Sequence, residues 1–226
     1  MEDLKVRLYL SFIFQDRWQF FVDGLGLTLL LTAVSFVMGS LLGAAFCALK
    51  LSRHQAVRKA TNAFLSFLVQ LPTLVLLMLF VYIIFGEASL SVTVVVLFGL
   101  TLKAGAYLAD IFYTAVTAVN SGEVEAAHTL GLTRVQVFRY ITLPQAISTA
   151  LPVYKNQFVI TLQETSIVGY LAIMDLTRAS EVVTSRTYDA LFGLIIVSIL
   201  YLLIGYLGNL LLGLLGREKH LGGDGK

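Results

Sequence analysis

Four stretches of this chain are too long and too apolar to be the helices of a water-soluble core. They are residues 25–49, 64–85, 92–119 and 191–215. A helix needs about 20 mostly apolar residues to cross a hydrocarbon layer of about 30 Å, and each stretch reaches that length. A fifth stretch, 144–170, is weaker, because it contains Pro152, Lys155, Asn156, Gln157 and Glu164. It still reads as a span, since a polar helix face is tolerated where it lines a cavity. The expected fold is therefore an all-α integral membrane protein with five transmembrane helices, forming one domain over residues 1–226.

Composition supports this and excludes other classes. Only 13% of the 226 residues are charged, against roughly 25% in soluble domains. The single cysteine, Cys47, rules out an internal disulfide and a cysteine zinc site, and three scattered histidines suggest no metal site. A net charge of +2 gives no reason to expect a nucleic-acid partner. There is no Gly-x-x-x-x-Gly-Lys-Ser/Thr loop to cradle phosphates, and no nucleophile with a neighbouring base. No catalytic residue and no bound cofactor are expected, so any energy input must come from a partner.

The flanks of the spans set an orientation. Lys50, Arg53, Arg58, Lys59, Arg134, Arg139, Arg217, Lys219 and Lys226, nine of the sixteen cations, fall on one side of a five-span arrangement. Lys5, Arg7, Arg17, Arg178 and Arg186 fall on the other. The positive-inside rule then places the N-terminus outside and the C-terminus in the cytoplasm. Residues 1–23 alternate charges with aromatics and do not read as a signal peptide. Trp18, Phe20 and Phe21 suggest an aromatic interfacial anchor. The tail at 222–226 is expected to be disordered.

Between spans three and four, residues 121–143 form a loop with strong local signals. Asn120 or Ser121 can cap a short helix, and Glu123 and Glu125 favour its positive end. Gly131 can take the left-handed conformation that stops it. Thr133 with Gln136 reads as a capping box for a second short helix, and Pro144 suits a helix start. Ala126 and Ala127 leave a small face that a partner surface can approach.

Two polar stripes lie inside spans. Lys103, Tyr107, Asp110 and Thr114 share one helix face, and so do Gln157, Thr161 and Glu164. A charge at mid-bilayer costs several kcal/mol, so the stripes should face each other or a water-filled path. One reading is a translocation site in which Glu164 meets a substrate ammonium and Lys103 a carboxylate. The other is a structural ion pair of Lys103 with Glu164 or Asp110. Lys155 either snorkels or helps to neutralise Glu164. Ser35, Gly39 and Gly43 form a small-residue face suited to close helix packing, and Gly205 and Gly208 read the same way. Pro72 should kink the second span.

Glu125-Ala126-Ala127, Gly131, Ile141, Leu143 and Pro144, at these spacings, resemble the EAA loop of ABC-importer permeases. Gly26-x-Thr28, Gly39-x-x-x-Gly43, Gly105-Ala106-Tyr107, Leu143-Pro144-Gln145-Ala146 and Gln163-Glu164-Thr165-Ser166 are similar to segments of the polar amino-acid uptake subfamily. Val69-Gln70-Leu71-Pro72 departs from that subfamily's Arg-Gly-Thr-Pro. Lys103 stands where it often has Asn, and the Arg it usually carries after the third span's acidic residue is missing near Tyr113. The resemblance implies a permease subunit of a bacterial inner membrane. Its coupling residues would be Glu123, Glu125, Ala126, Ala127, Gly131, Ile141, Leu143 and Pro144. Its implied partners are cytoplasmic ATPase subunits that use the ATP, a second permease subunit and an extracytoplasmic binding protein. The cargo would be a small amino acid. Another small polar solute, such as an osmolyte or a peptide, or an ion-coupled transporter, are the rival readings.

Overall fold

The computed structural model describes Tyr9 and residues 12–217, with side chains to residue 214. The 222–226 tail and the cations Lys5, Arg7, Lys219 and Lys226 lie outside the described residues. Among the described residues there are helices and turns and no strand.

The first helix, α1 (Trp18–Lys50), runs 33 residues, about 50 Å at 1.5 Å per residue. It begins seven residues before the expected span, because Trp18, Phe20 and Phe21, the expected aromatic anchor, lie in its first turn. Trp18 is exposed there, while Phe21 is buried. The small-residue face of α1 packs on α4 (Val92–Thr117). A Cβ at Gly39 would stand 2.9 Å from the Ala104 Cβ, and one at Gly43 would stand 2.8 Å from the Leu108 Cβ. Gly105 answers from the other side, with the Gly39 carbonyl 3.3 Å from its own missing Cβ. Small side chains on both helices let the backbones meet, which is how helices gain packing contacts where no hydrophobic effect drives them together.

The expected second span, 64–85, is not one helix. It is α2 (Gln55–Gln70) followed by α3 (Thr73–Met78), which widens into a π-helical turn over Leu79–Ile84. The two halves meet at 108°. Pro72 lacks an N–H and forces its predecessor out of the helical region, and Leu71 is extended at φ −72°, ψ 134°. The kink expected from Pro72 is thus a full break.

The loop after α4 folds as α5 (Ser121–Thr129) and α6 (Arg134–Val137). A π turn over Phe138–Thr142 carries α6 into α7 (Leu143–Thr165). Pro144 explains that turn: its ring would clash with the carbonyl four residues earlier in a regular helix. The Leu143 N–H reaches back five residues to the Phe138 carbonyl instead. After a 3₁₀ turn at Val168–Leu171, α8 (Leu176–Thr187) bends 47° from α7. The last helix is α9 (Ala190–Arg217).

Among the described residues, three helices are long and apolar enough to cross a membrane, and up to five spans result if each bent pair counts as one. The expected last span, 191–215, falls within α9. Gly208 of α9 lies against the Phe158 ring of α7, as its small-residue reading expects, whereas among the described residues a Cβ at Gly205 would meet only Leu162, at 3.9 Å.

Candidate functional site

The break at Pro72 leaves backbone carbonyls without helical partners, and a buried charge fills one of them. Lys103, on α4, is 2% exposed. Its Nζ donates to the Leu71 carbonyl at 2.7 Å and to the Thr73 Oγ1 at 2.8 Å. The Thr73 hydroxyl in turn donates to the Glu164 Oε1 of α7 at 2.8 Å. Lys103 Nζ and Glu164 Oε1 are 3.8 Å apart. One lysine, one hydroxyl and one carboxylate therefore tie α4, the start of α3 and the end of α7 together.

Two polar atoms at this site have no partner among the described residues. The Glu164 Oε2 and the Gln157 Nε2 are both buried without a hydrogen bond there. Thr161, between them on the same face, is fully buried and donates to the Gln157 carbonyl. Buried polar groups are nearly always paired, so an orphan acceptor and an orphan donor on one helix face mark a place where a polar ligand would be stabilised.

The structure brings Lys103 to Glu164 but takes Asp110 elsewhere. Asp110 is exposed and pairs with Lys50 at the end of α1. Lys50 also lies 4.7 Å from the centre of the Tyr113 ring. Asp110 is seven residues beyond Lys103, about 10.5 Å along the axis, so a shared face does not give it a shared neighbour. Tyr107 is half-buried between them, and Thr114 is exposed. Lys155 does not pair with Glu164. Its Nζ lies against Gly213 of α9, and Lys103 makes the ion pair instead.

Sequence reasoning missed Thr73 and allowed that a kink at Pro72 exposes backbone carbonyls without singling out that of Leu71. It also missed α8 and its cap, Asp175. The Asp175 carboxylate accepts from the N–H groups of Thr177 and Arg178 at 3.2 and 2.9 Å. The Leu176 N–H donates to Thr28 Oγ1 at 3.1 Å, which pins α8 to α1.

The second candidate region is 121–143. Asn120 rather than Ser121 caps α5, accepting from the Gly122 N–H at 2.9 Å. Gly131 has φ +86° and ends that helix. Thr133 and Gln136 form the expected capping box. Glu123 Oε2 accepts from the Gln145 amide at 2.6 Å, joining α5 to the base of α7. Ala127 is buried and Ile141 half-buried, while Glu125, Ala126, Gly131, Leu143 and Pro144 are exposed. Around them Leu130, Val135 and Tyr140 are 81%, 75% and 65% exposed. Exposed apolar residues rimmed by charge mark an interaction surface. A half-open apolar groove of about 540 Å³ is lined by Phe138 and Leu143 of this region and, among others, by Cys47, Phe112 and Tyr154. Among the described residues, no three His, Cys, Asp or Glu side chains cluster to hold a metal.

Known proteins resemble the chain over most of its length. Histidine/lysine/arginine/ornithine transport system permease protein HisM of Salmonella typhimurium is 30% identical, with 87% of each chain covered. Putative glutamine transport system permease protein GlnP of Rickettsia conorii is 28% identical, covering 88% of this chain and 94% of its own. A crystal structure of an amino acid ABC transporter with histidines superposes with a TM-score of 0.79 at 30% identity, covering 88% and 94% of the two chains. The MetNI methionine ABC transporter, inward facing, shares the fold with a TM-score of 0.74 at 20% identity, covering 90% and 98%. Residues 35–220 match a family described as the binding-protein-dependent transport system inner membrane component. Loop, helix order and match agree: this chain is a member of that transport family.

Proposed function

We propose that this chain is the permease subunit of an ATP-driven importer of amino acids in a bacterial inner membrane. Residues 1–226 form one transmembrane domain with five spans, counting each bent pair as one. The N-terminus is outside and the C-terminus cytoplasmic. The chain works with a second permease subunit, cytoplasmic ATPase subunits and an extracytoplasmic binding protein. It binds no cofactor of its own and is not an enzyme, because ATP is hydrolysed by the partner subunits.

The observation that carries this reading is the surface at 121–143. A short helix with an acidic first turn ends at a left-handed glycine and presents apolar side chains to a partner. Glu123, Glu125, Ala126, Ala127, Gly131, Ile141, Leu143 and Pro144 form or brace the contact with the ATPase. Closure of the ATPase pair moves this segment, and the continuous run from α6 into α7 transmits the motion to Glu164. The coupling needs only a bundle with two arrangements that nucleotide biases differently. The half-open apolar groove lined by Phe138 and Leu143 gives the base of α7 room to shift. Lys103, Tyr107, Gln157, Thr161 and Glu164 face the path. Asp110, paired with Lys50, stands at its margin.

The amino-acid cargo is supported by the named permeases it resembles and by an orphan carboxylate oxygen suited to an ammonium group. Vesicles carrying the reconstituted complex test the reading with a panel of labelled amino acids. ATP-dependent accumulation of at least one is expected. Accumulation driven by an ion gradient without ATP would refute it.

A further inference from the structure

This chain holds a buried lysine, Lys103, at the centre of its charge bridge. Lys103 is held there by the Leu71 carbonyl and the Thr73 hydroxyl. The Thr73 hydroxyl accepts from Lys103 and donates to Glu164 Oε1. The bridge is thereby oriented, and its net charge is zero. What remains to receive a ligand is one acceptor, Glu164 Oε2, and one donor, Gln157 Nε2, which belongs to a residue 3% exposed.

We infer that Lys103 is a specificity-determining residue that tunes the site to amino acids of zero net charge and disfavours cationic ones. The inference rests on the amino-acid reading above. An ammonium group bound at Glu164 Oε2 adds a positive charge beside Lys103, whose Nζ is 3.8 Å from the other carboxylate oxygen. A zwitterion brings its own carboxylate, so the site stays neutral. A lysine or arginine substrate leaves one positive charge unbalanced in a low-dielectric setting, where opposite and like charges are felt most strongly. Without Lys103 the site would carry the single negative charge of Glu164, which a cationic amino acid neutralises. The same carboxylate then selects opposite substrate classes according to the residue at position 103.

The test is binding of labelled glutamine and labelled arginine to the assembled permease–ATPase complex, without the external binding protein. The wild type is expected to bind glutamine at least tenfold more tightly than arginine. Lys103→Gln should move that ratio at least tenfold toward arginine. Lys103→Arg should keep the wild-type ratio, and Lys103→Gln with Glu164→Gln should abolish the gain for arginine. A purely structural Lys103 would weaken both ligands equally, and an unchanged ratio would overturn the inference. So would a wild type that binds arginine as well as glutamine, a result that stands even if a variant fails to assemble. If the wild type binds neither while the complete complex still takes up amino acids, this inference is wrong and the importer reading survives. If the complete complex takes up no amino acid, both are wrong.

Discussion

Gly39 and Gly26 lie on the same helix and make opposite demands. A Cβ at Gly39 would meet Ala104 at 2.9 Å, whereas nothing among the described residues lies within 4 Å of one at Gly26. Gly39→Val is expected to destabilise the purified protein by about 1–3 kcal/mol through overpacking, and Gly26→Ala to be neutral. Thermal unfolding in detergent checks both. The close-packing face was legible from the spacing of Ser35, Gly39 and Gly43, because small residues four apart carry that message unaided. The partners of the buried charges were only half legible. Periodicity places Lys103 and Glu164 on inward faces, but it cannot say that Thr73 stands between them, since a lone hydroxyl in an apolar run gives no pattern. Nor could it show Lys50 reaching Asp110 from a helix sixty residues away. Glu164→Gln leaves Thr73 bonded but removes the negative charge from the bridge. It is expected to lower uptake at least tenfold while assembly with the ATPase, read by co-purification, changes less than twofold. Unchanged uptake kinetics would leave Glu164 with a structural role alone.

At the scale of elements, the sequence was most readable where local rules act by themselves. The capping box at Thr133 and Gln136 formed as expected, and Asn120 won the cap of α5 over Ser121. Thr133→Ala should cost α6 about 1 kcal/mol. Faster hydrogen exchange across 134–142, with the spans unchanged, is the expected reading. The helix α8 was not anticipated because its sequence is polar and lies between two apolar runs. Asp175, placed before Leu176-Thr177-Arg178, was the signal for its start. Asp175→Ala removes the acceptor for two N–H groups and should cost about 1–2 kcal/mol, seen as lost protection at 177 and 178. The second span was misjudged in degree. Apolar content runs unbroken through 64–85, and hydropathy does not register that Pro72 and an extended Leu71 turn the chain by 108°. That turn creates the free carbonyl that Lys103 occupies, so the break and the buried charge are parts of one device.

For the whole molecule, two regions matter: a charge bridge inside the bundle and, at 121–143, a surface of exposed apolar side chains that we propose faces the ATPase. The continuous run from α6 through the π turn into α7 joins them. Charge asymmetry between loops supports a topology in which that surface is cytoplasmic. In a Cys47→Ala background, Val57→Cys should be labelled by an impermeant reagent only from the cytoplasmic side, and Ala88→Cys only from outside. The measurement that bears most directly on the central claim reads ATP hydrolysis and amino-acid uptake together, on the same vesicles, for the wild type, Glu125→Lys and Gly131→Val. Gly131 has φ +86°, a conformation that costs a side-chain-bearing residue about 1–2 kcal/mol, so its variant distorts the end of α5 without touching the spans. Both variants are expected to insert and to keep a wild-type charge bridge, while uptake per ATP hydrolysed falls at least tenfold. Uptake per ATP equal to that of the wild type in both variants would contradict the assignment of residues 121–143 as the point where the machine is driven.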